Sequence, residues 1–185
     1  WNVFSQTSSS AIYSLVWGSD LLQRIYIPRS IFAIASIGTG LINLLLSIVP
    51  LVLVMLVIGT PIHATILLVP LAMLLLGLFS LGISLLISTV GIYFFDVVEM
   101  YGIVLMAWMY LTPIIYTLDL LPERIQRLLL LNPMVHLVEL FRNLILYGKI
   151  PTLESWLISA GVALGSFLLG WLVFTSKSDE FAYRT

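Results

Sequence analysis

Between Ser30 and Phe95 the chain carries no Asp, Glu, Lys or Arg. A surface facing water cannot be built from such a stretch, because soluble domains spread charge over their exterior. A bilayer accepts it. Its hydrocarbon core is about 30 Å thick, and a helix crosses it with about 20 apolar residues. The stretch is long enough for two crossings. Gly59, Thr60, Pro61 and His63 mark a turn between them.

Composition agrees with a multi-pass, all-α transmembrane bundle: 61% of residues are hydrophobic and only 9% are charged. The net charge of −1 offers no basic face for nucleic acid. The absence of cysteine removes disulfides, thiol chemistry and cysteine metal sites. No P-loop, HExxH or GxSxG pattern occurs, and His63 and His136 have no metal-ligand spacing with a carboxylate. We therefore expect no catalytic residue, cofactor or metal in this chain. The sequence opens at Trp1 rather than Met and shows no signal peptide, so we expect a fragment of a longer protein.

One transmembrane domain over residues 1–185 is expected, with five spans at about 1–19, 31–58, 64–90, 98–118 and 155–175. The first is the weakest, with Asn2, Gln6 and a Ser/Thr run over residues 5–10. The connections differ. Residues 20–29 are short and amphipathic and include Arg24, Pro28 and Arg29. Residues 91–99 carry Asp96 and Glu99. Residues 119–154 form the long polar connection, with Arg124, Arg127, Arg142 and Lys149. The opposite side would hold Arg24, Arg29, Lys177 and Arg184, so the positive-inside rule does not choose an orientation.

Gly77, Ser80, Ser84, Ser88 and Gly91 recur at spacings of three and four and predict a close helix seam. Gly161 and Gly165 form a GxxxG pair with the same expectation. Asn43 lies mid-span, where an amide most often bonds to a neighbouring helix and less often to a substrate. No carboxylate, Lys or Arg lies deep in a predicted span, which counts against proton- or ion-coupled transport.

The long connection predicts two short helices. Pro113 ends the span before it. Pro122 opens a helix to about Leu131, Asn132-Pro133 stops it, and a second helix runs from Met134 to Tyr147 before Gly148. His136, Glu139 and Asn143 share one face of the second helix with Arg142 beside them, and Leu137, Leu140, Phe141, Leu144 and Ile145 form the other. Such a pair, over about 122–147, either re-enters the membrane or rests on its surface.

Several segments resemble the membrane subunit of type-2 ABC exporters, in particular permeases for O-antigen, capsular polysaccharide and teichoic acid. They are Trp1-Asn2-Val3-Phe4-Ser5, Leu22-Gln23-Arg24-Ile25-Tyr26-Ile27-Pro28-Arg29, Tyr93-Phe94-Phe95-Asp96, Leu111-Thr112-Pro113-Ile114-Ile115-Tyr116, Leu131-Asn132-Pro133 and Glu139-Leu140-Phe141-Arg142. Their order and spacing cover nearly the whole chain. Phe95 stands where the family commonly has Arg, and the family's amphipathic N-terminal helix and first span have no counterpart.

The resemblance implies an ATP-driven permease for a lipid-linked glycan in the bacterial cytoplasmic membrane. It implies a second copy of the chain and two ATPase subunits, which would hold ATP and Mg. Residues 20–29 would be cytoplasmic, and the short helices of 122–147 would lie on the outer side. Leu21, Leu22, Arg24, Ile25, Tyr26, Pro28 and Arg29 are then the expected ATPase-coupling loop, with Asp96 and Glu99 in a second cytoplasmic loop. Tyr93, Phe94, Tyr101, Trp108, Tyr110 and Tyr116 would line a sugar path, or form the aromatic belt usual at membrane interfaces. Pro113, Asn132, Pro133, Glu139 and Arg142 would form an outer gate. The alternatives are a drug or antibiotic efflux permease, an ATPase-independent channel or a membrane enzyme.

Overall fold

A computed structural model describes residues 1–17 and 30–181. Among these the regular structure is helical: α1 (Asn2–Trp17), α2 (Ser30–Ile58), α3 (Val69–Tyr93), α4 (Asp96–Tyr110), α5 (Glu123–Leu129), α6 (Pro133–Ile145) and α7 (Leu153–Phe181). Short 3-10 turns cover Ala64–Leu68 and Leu118–Leu120. The expected coupling loop, from Leu21 through Arg29, lies outside the described residues.

Three helical stretches are long and apolar enough to cross a bilayer alone: Ser30–Ile58, Ala64–Tyr93 and Leu153–Lys177. α1 and α4, of 16 and 15 residues, are shorter, about 24 and 22 Å at 1.5 Å per residue. α5 and α6 meet at a bend of 100°.

α3 is the hub and packs against α1, α2, α4, α6 and α7. Its small-residue stripe explains this. Gly77, Ser80, Ser84, Ser88 and Gly91 are all buried. Gly77 faces Leu41 of α2, and Gly91 faces Val16 of α1. The tightest approach involves a glycine outside the stripe. A Cβ on Gly82 would run into the backbone of Ser166 and Phe167, and one on Gly170 would run into the backbone of Gly82. The backbones of α3 and α7 touch there, where dispersion rather than hydrophobicity holds helices together. Gly161 and Gly165 differ from expectation: a Cβ on either meets nothing within 4 Å. Among the described residues the GxxxG pair forms no seam.

α1 buries Phe4, Ser8, Ala11, Ile12 and Leu15, a repeat of three and four that turns one face to the core. Across it, Tyr101 of α4 donates a hydrogen bond to Ser8 Oγ at 2.9 Å, and Ser8 donates to the Phe4 carbonyl at 2.7 Å. α2 is the outlier. Only Ala33, Ile37, Gly40 and Met55 are buried, while Ile42, Leu45, Leu46 and Val49 point outward, the pattern of a lipid-facing helix.

The turn after α2 docks on the end of α6. Gly148 has a φ of 59° and sits beneath the His63 ring, where a Cβ would collide with it. Thr65 adds a hydrogen bond to the Leu144 carbonyl at 2.6 Å. The short helices and the α2–α3 turn therefore occupy the same end of the bundle.

Candidate functional site

α4 stops at Tyr110, well before the expected end of its span near residue 118. Thr112 and Pro113 explain the stop: proline has no N–H for the ladder and clashes with the preceding turn. A helix end leaves carbonyls without partners, and burial without partners is costly. Thr112 and Pro113 are buried. Thr112 and Tyr116 serve the Trp108 and Tyr110 carbonyls, and α6 serves carbonyls beyond them through two side chains.

Asn132 caps α6. Its Oδ1 accepts from the Met134 backbone N–H at 3.0 Å, with Pro133 in the first helical position. The same oxygen accepts from Trp108 Nε1 at 2.8 Å. Its Nδ2 donates to the Leu111 carbonyl at 3.1 Å and to Thr112 Oγ1 at 3.0 Å. One amide thus spends both its donors and its acceptor on tying α4 to α6.

Arg142 completes the closure one face further along α6. Its Nη2 donates to the Pro113 carbonyl at 2.8 Å, with longer approaches of 3.4 Å to the carbonyls of Ile114 and Tyr116. Its Nη1 pairs with Glu139 Oε1 at 2.5 Å. The guanidinium side chain is 10% exposed and the carboxylate 31% exposed. A buried cation demands both a counter-charge and acceptors for its remaining protons. Glu139 supplies the first and the segment after α4 supplies the second.

All five residues expected at the outer gate therefore belong to one connected region. The carbonyl targets were not legible from the sequence, because Pro113 lies 29 positions from Arg142.

The six aromatic candidates do not converge within one chain. Trp108 joins Trp1, Phe4 and Phe79, with ring centroids 5.3–6.2 Å away, in edge-on geometry. Tyr101 is buried on Ser8. Tyr93 packs against the core, whereas Phe94 and Tyr110 face outward at opposite ends of the α4 region. Tyr116 turns its hydroxyl onto the Tyr110 carbonyl at 3.0 Å. Asp96 and Glu99 occupy the first turn of α4, where acids offset the helix dipole. Among the described residues no group of three His, Asp or Glu side chains converges as a metal site would require.

A second polar region escaped the sequence reading. Gln6, Ser10 and Ser14 on α1 face Ser36, Thr39 and Asn43 on α2 across an open groove of about 380 Å³. The two stripes are regular, at i, i+4, i+8 on one helix and about one turn apart on the other. That periodicity was the available signal.

A break in a helix re-satisfied by a following amphipathic helix is what a membrane domain needs, because unsatisfied carbonyls are not tolerated in lipid. The family model for ABC-2 type transporters matches residues 2–146, spanning this break and both short helices. The chain belongs to the ABC-2 type transporter family. As a member it is a multi-pass membrane protein of the permease kind. It is 25% identical over 185 residues to an O-antigen export system permease protein RfbA of Klebsiella pneumoniae, covering 98% of this chain and 70% of that protein. A second RfbA of the same species is 23% identical over 149 residues, covering 80% of this chain and 58% of that protein. The RfbA of Myxococcus xanthus is 25% identical over 185 residues, covering 98% of this chain and 71% of that protein. In this ABC-2 domain the α4 break, Asn132 and Arg142 form the candidate functional site.

Proposed function

We infer that this chain is the permease subunit of an ATP-driven exporter that moves a polysaccharide of the O-antigen type across the bacterial cytoplasmic membrane. The observation that carries the reading is the alignment of O-antigen export permeases with 98% of the chain. The sequence supports the division of labour. It has no P-loop, so ATP and Mg belong to a partner ATPase. Its predicted spans hold no buried ion pair or proton relay, so the driving force comes from elsewhere.

In this reading α1, α2, α3, α4 and α7 are the five spans. Residues 20–29 face the cytoplasm and take the push of two ATPase subunits through Leu21, Leu22, Arg24, Ile25, Tyr26, Pro28 and Arg29, with Asp96 and Glu99 on the same side. The α5–α6 pair lies at the outer side and dips back into the membrane. Pro113, Asn132, Pro133, Glu139 and Arg142 hold the exit closed between transport events. Two copies of the chain flank a path wide enough for a lipid-linked glycan, of which capsule and teichoic-acid polymers are further examples.

Deletion of the gene, followed by complementation with the full-length protein, tests the reading. Loss and restoration of surface polysaccharide, with co-purification of an ATPase, is the expected result. Unchanged polysaccharide together with altered drug resistance would replace it with the efflux reading. For the dimer, cysteines introduced singly should cross-link between two copies in the active complex; a strictly monomeric permease refutes that part.

A further inference from the structure

The α2–α3 turn does more than reverse the chain. A helix leaves its last carbonyls without partners of its own, and α6 ends at Ile145. The carbonyl of Leu144 accepts a hydrogen bond at 2.6 Å from the Thr65 hydroxyl, 79 positions earlier. Just beyond, Gly148 takes a φ of 59° and lies so close to the His63 ring that a side chain there would overlap it. Leu144 itself is fully buried, in a cluster with Val69, Ala72 and Met73 onto which Leu41, Leu44 and Ile48 of α2 pack.

We propose that Thr65 and His63 are positioning residues of the exit lock: they hold the C-terminal end of α6, so that α6 follows the outer end of α2. The proposal rests on the export reading above and deepens it, because it names the joint through which a push at the cytoplasmic end of α2 reaches the lock. Three observations carry it.

First, α6 is the helix that holds the break after α4, through Asn132 at its start and Arg142 in its last turn. Its 13 residues form a rigid element of about 20 Å, so a displacement of its C-terminal end is felt at both contacts. Second, α2 runs as one helix from Ser30 to Ile58, about 43 Å, and Pro50 leaves it continuous. Ser30 directly follows the loop that carries Arg24 and Arg29. One helix and a short turn therefore separate that loop from His63 and Thr65. Third, the turn does not need these two side chains to close itself. Its backbone does so, with the Thr60 N–H on the Met55 carbonyl at 2.9 Å and the Ile66 N–H on the His63 carbonyl at 3.2 Å. The Thr65 hydroxyl and the His63 ring are spent on α6 instead. A hydrogen bond and a direct ring contact from one turn to one helix end are the kind of packed connection through which coupling travels.

The test uses the full-length permease with its ATPase, in inverted membrane vesicles that make the cell's own glycan, with any cysteine of the ATPase replaced. Glycan exported and ATP hydrolysed are measured on the same vesicles. Thr65→Val keeps the shape and removes the donor; Thr65→Ser keeps the donor. His63→Cys combined with Gly148→Cys removes the ring and sets two thiols where a disulfide can close. Thr65→Val and the reduced cysteine pair should each export roughly 2- to 10-fold less glycan per ATP, a factor set by about one lost hydrogen bond or contact, with ATP hydrolysis retained. Thr65→Ser should match the wild type. Oxidation of the cysteine pair, followed by the loss of both thiols, should restore the ratio, because the new bond rejoins the turn to α6. Export that falls further on oxidation overturns the proposal, since the turn and α6 must then part during transport. Loss of export and hydrolysis in parallel overturns it as well, and assigns the contact to folding alone. Normal export per ATP by Thr65→Val and by the reduced pair overturns it too, and leaves the export reading standing because the wild type still exports. A wild type that exports no glycan overturns the export reading and this proposal together.

Discussion

The Arg142 guanidinium donates to the carbonyl of Pro113 at 2.8 Å, tying α6 to the break that follows α4, 29 residues earlier in the chain. The same group pairs with Glu139. Arg142 is thus both half of an ion pair and the anchor of the segment that follows α4, and the two roles separate under mutation.

Arg142→Gln should destabilise the protein by about 3 kcal/mol, because it leaves buried carbonyls and Glu139 without their partner. Glu139→Gln should cost less, since Glu139 is 31% exposed and the carbonyls still hold the arginine. The double variant should resemble Arg142→Gln rather than recover. Thermal unfolding of the three variants in one detergent checks the order. Recovery in the double variant would mean that the ion pair alone matters.

Trp108→Phe keeps the aromatic ring but removes the donor to Asn132, and should cost about 1 kcal/mol. Asn132→Ala loses that bond together with the α6 cap and both donors to α4, and should cost more, about 2–3 kcal/mol. Combining the two should add little to Asn132→Ala, because they share a bond. A double-mutant cycle on unfolding midpoints measures the coupling.

The glycines of α7 should divide into two classes. Gly170→Val, like Gly82→Leu, places atoms inside a backbone contact and should abolish folding of the bundle. Gly161→Ala and Gly165→Ala meet open space and should be neutral or gain up to about 1 kcal/mol in helix propensity. Expression yield and thermal unfolding separate the classes. Loss of self-association in Gly161→Leu, with folding intact, would assign that face to a second copy.

Charge reversal at Arg24 and Arg29 should uncouple ATP hydrolysis from export while membrane insertion proceeds. Export and ATPase rates measured on the same vesicles decide it. Normal export by the double variant removes the coupling role from this loop.

The membrane class, the turn at Gly59 and the two short helices were legible because they depend on local chemistry. Absence of charge, a proline without its N–H, and glycine in a tight turn act through their immediate neighbours. The buried stripe on α3 was legible for the same reason: a repeat of three and four is a property of one helix. The partner of that stripe was not. Gly161–Gly165 has the better-known pattern, yet Gly82 and Gly170 make the contact, because the rotation of α7 about its axis is set by packing against α3.

The same division runs through the site. Asn132 ahead of Pro133 reads as a helix start from three adjacent residues, and Glu139 and Arg142 read as a pair from their spacing. That Asn132 also holds Trp108, and that Arg142 holds the break after α4, required the two helices to be brought together. The polar groove is the clearest case: Gln6 and Asn43 are unremarkable apart, and their alignment depends on how α1 lies along α2. Sequence alone determined that this chain lives in a bilayer and which prolines and glycines interrupt its helices, because burial preference and backbone geometry are local. Tertiary structure alone decided which breaks are capped, which glycines touch and which polar faces meet, because hydrogen bonds and close packing need partners that only the fold supplies.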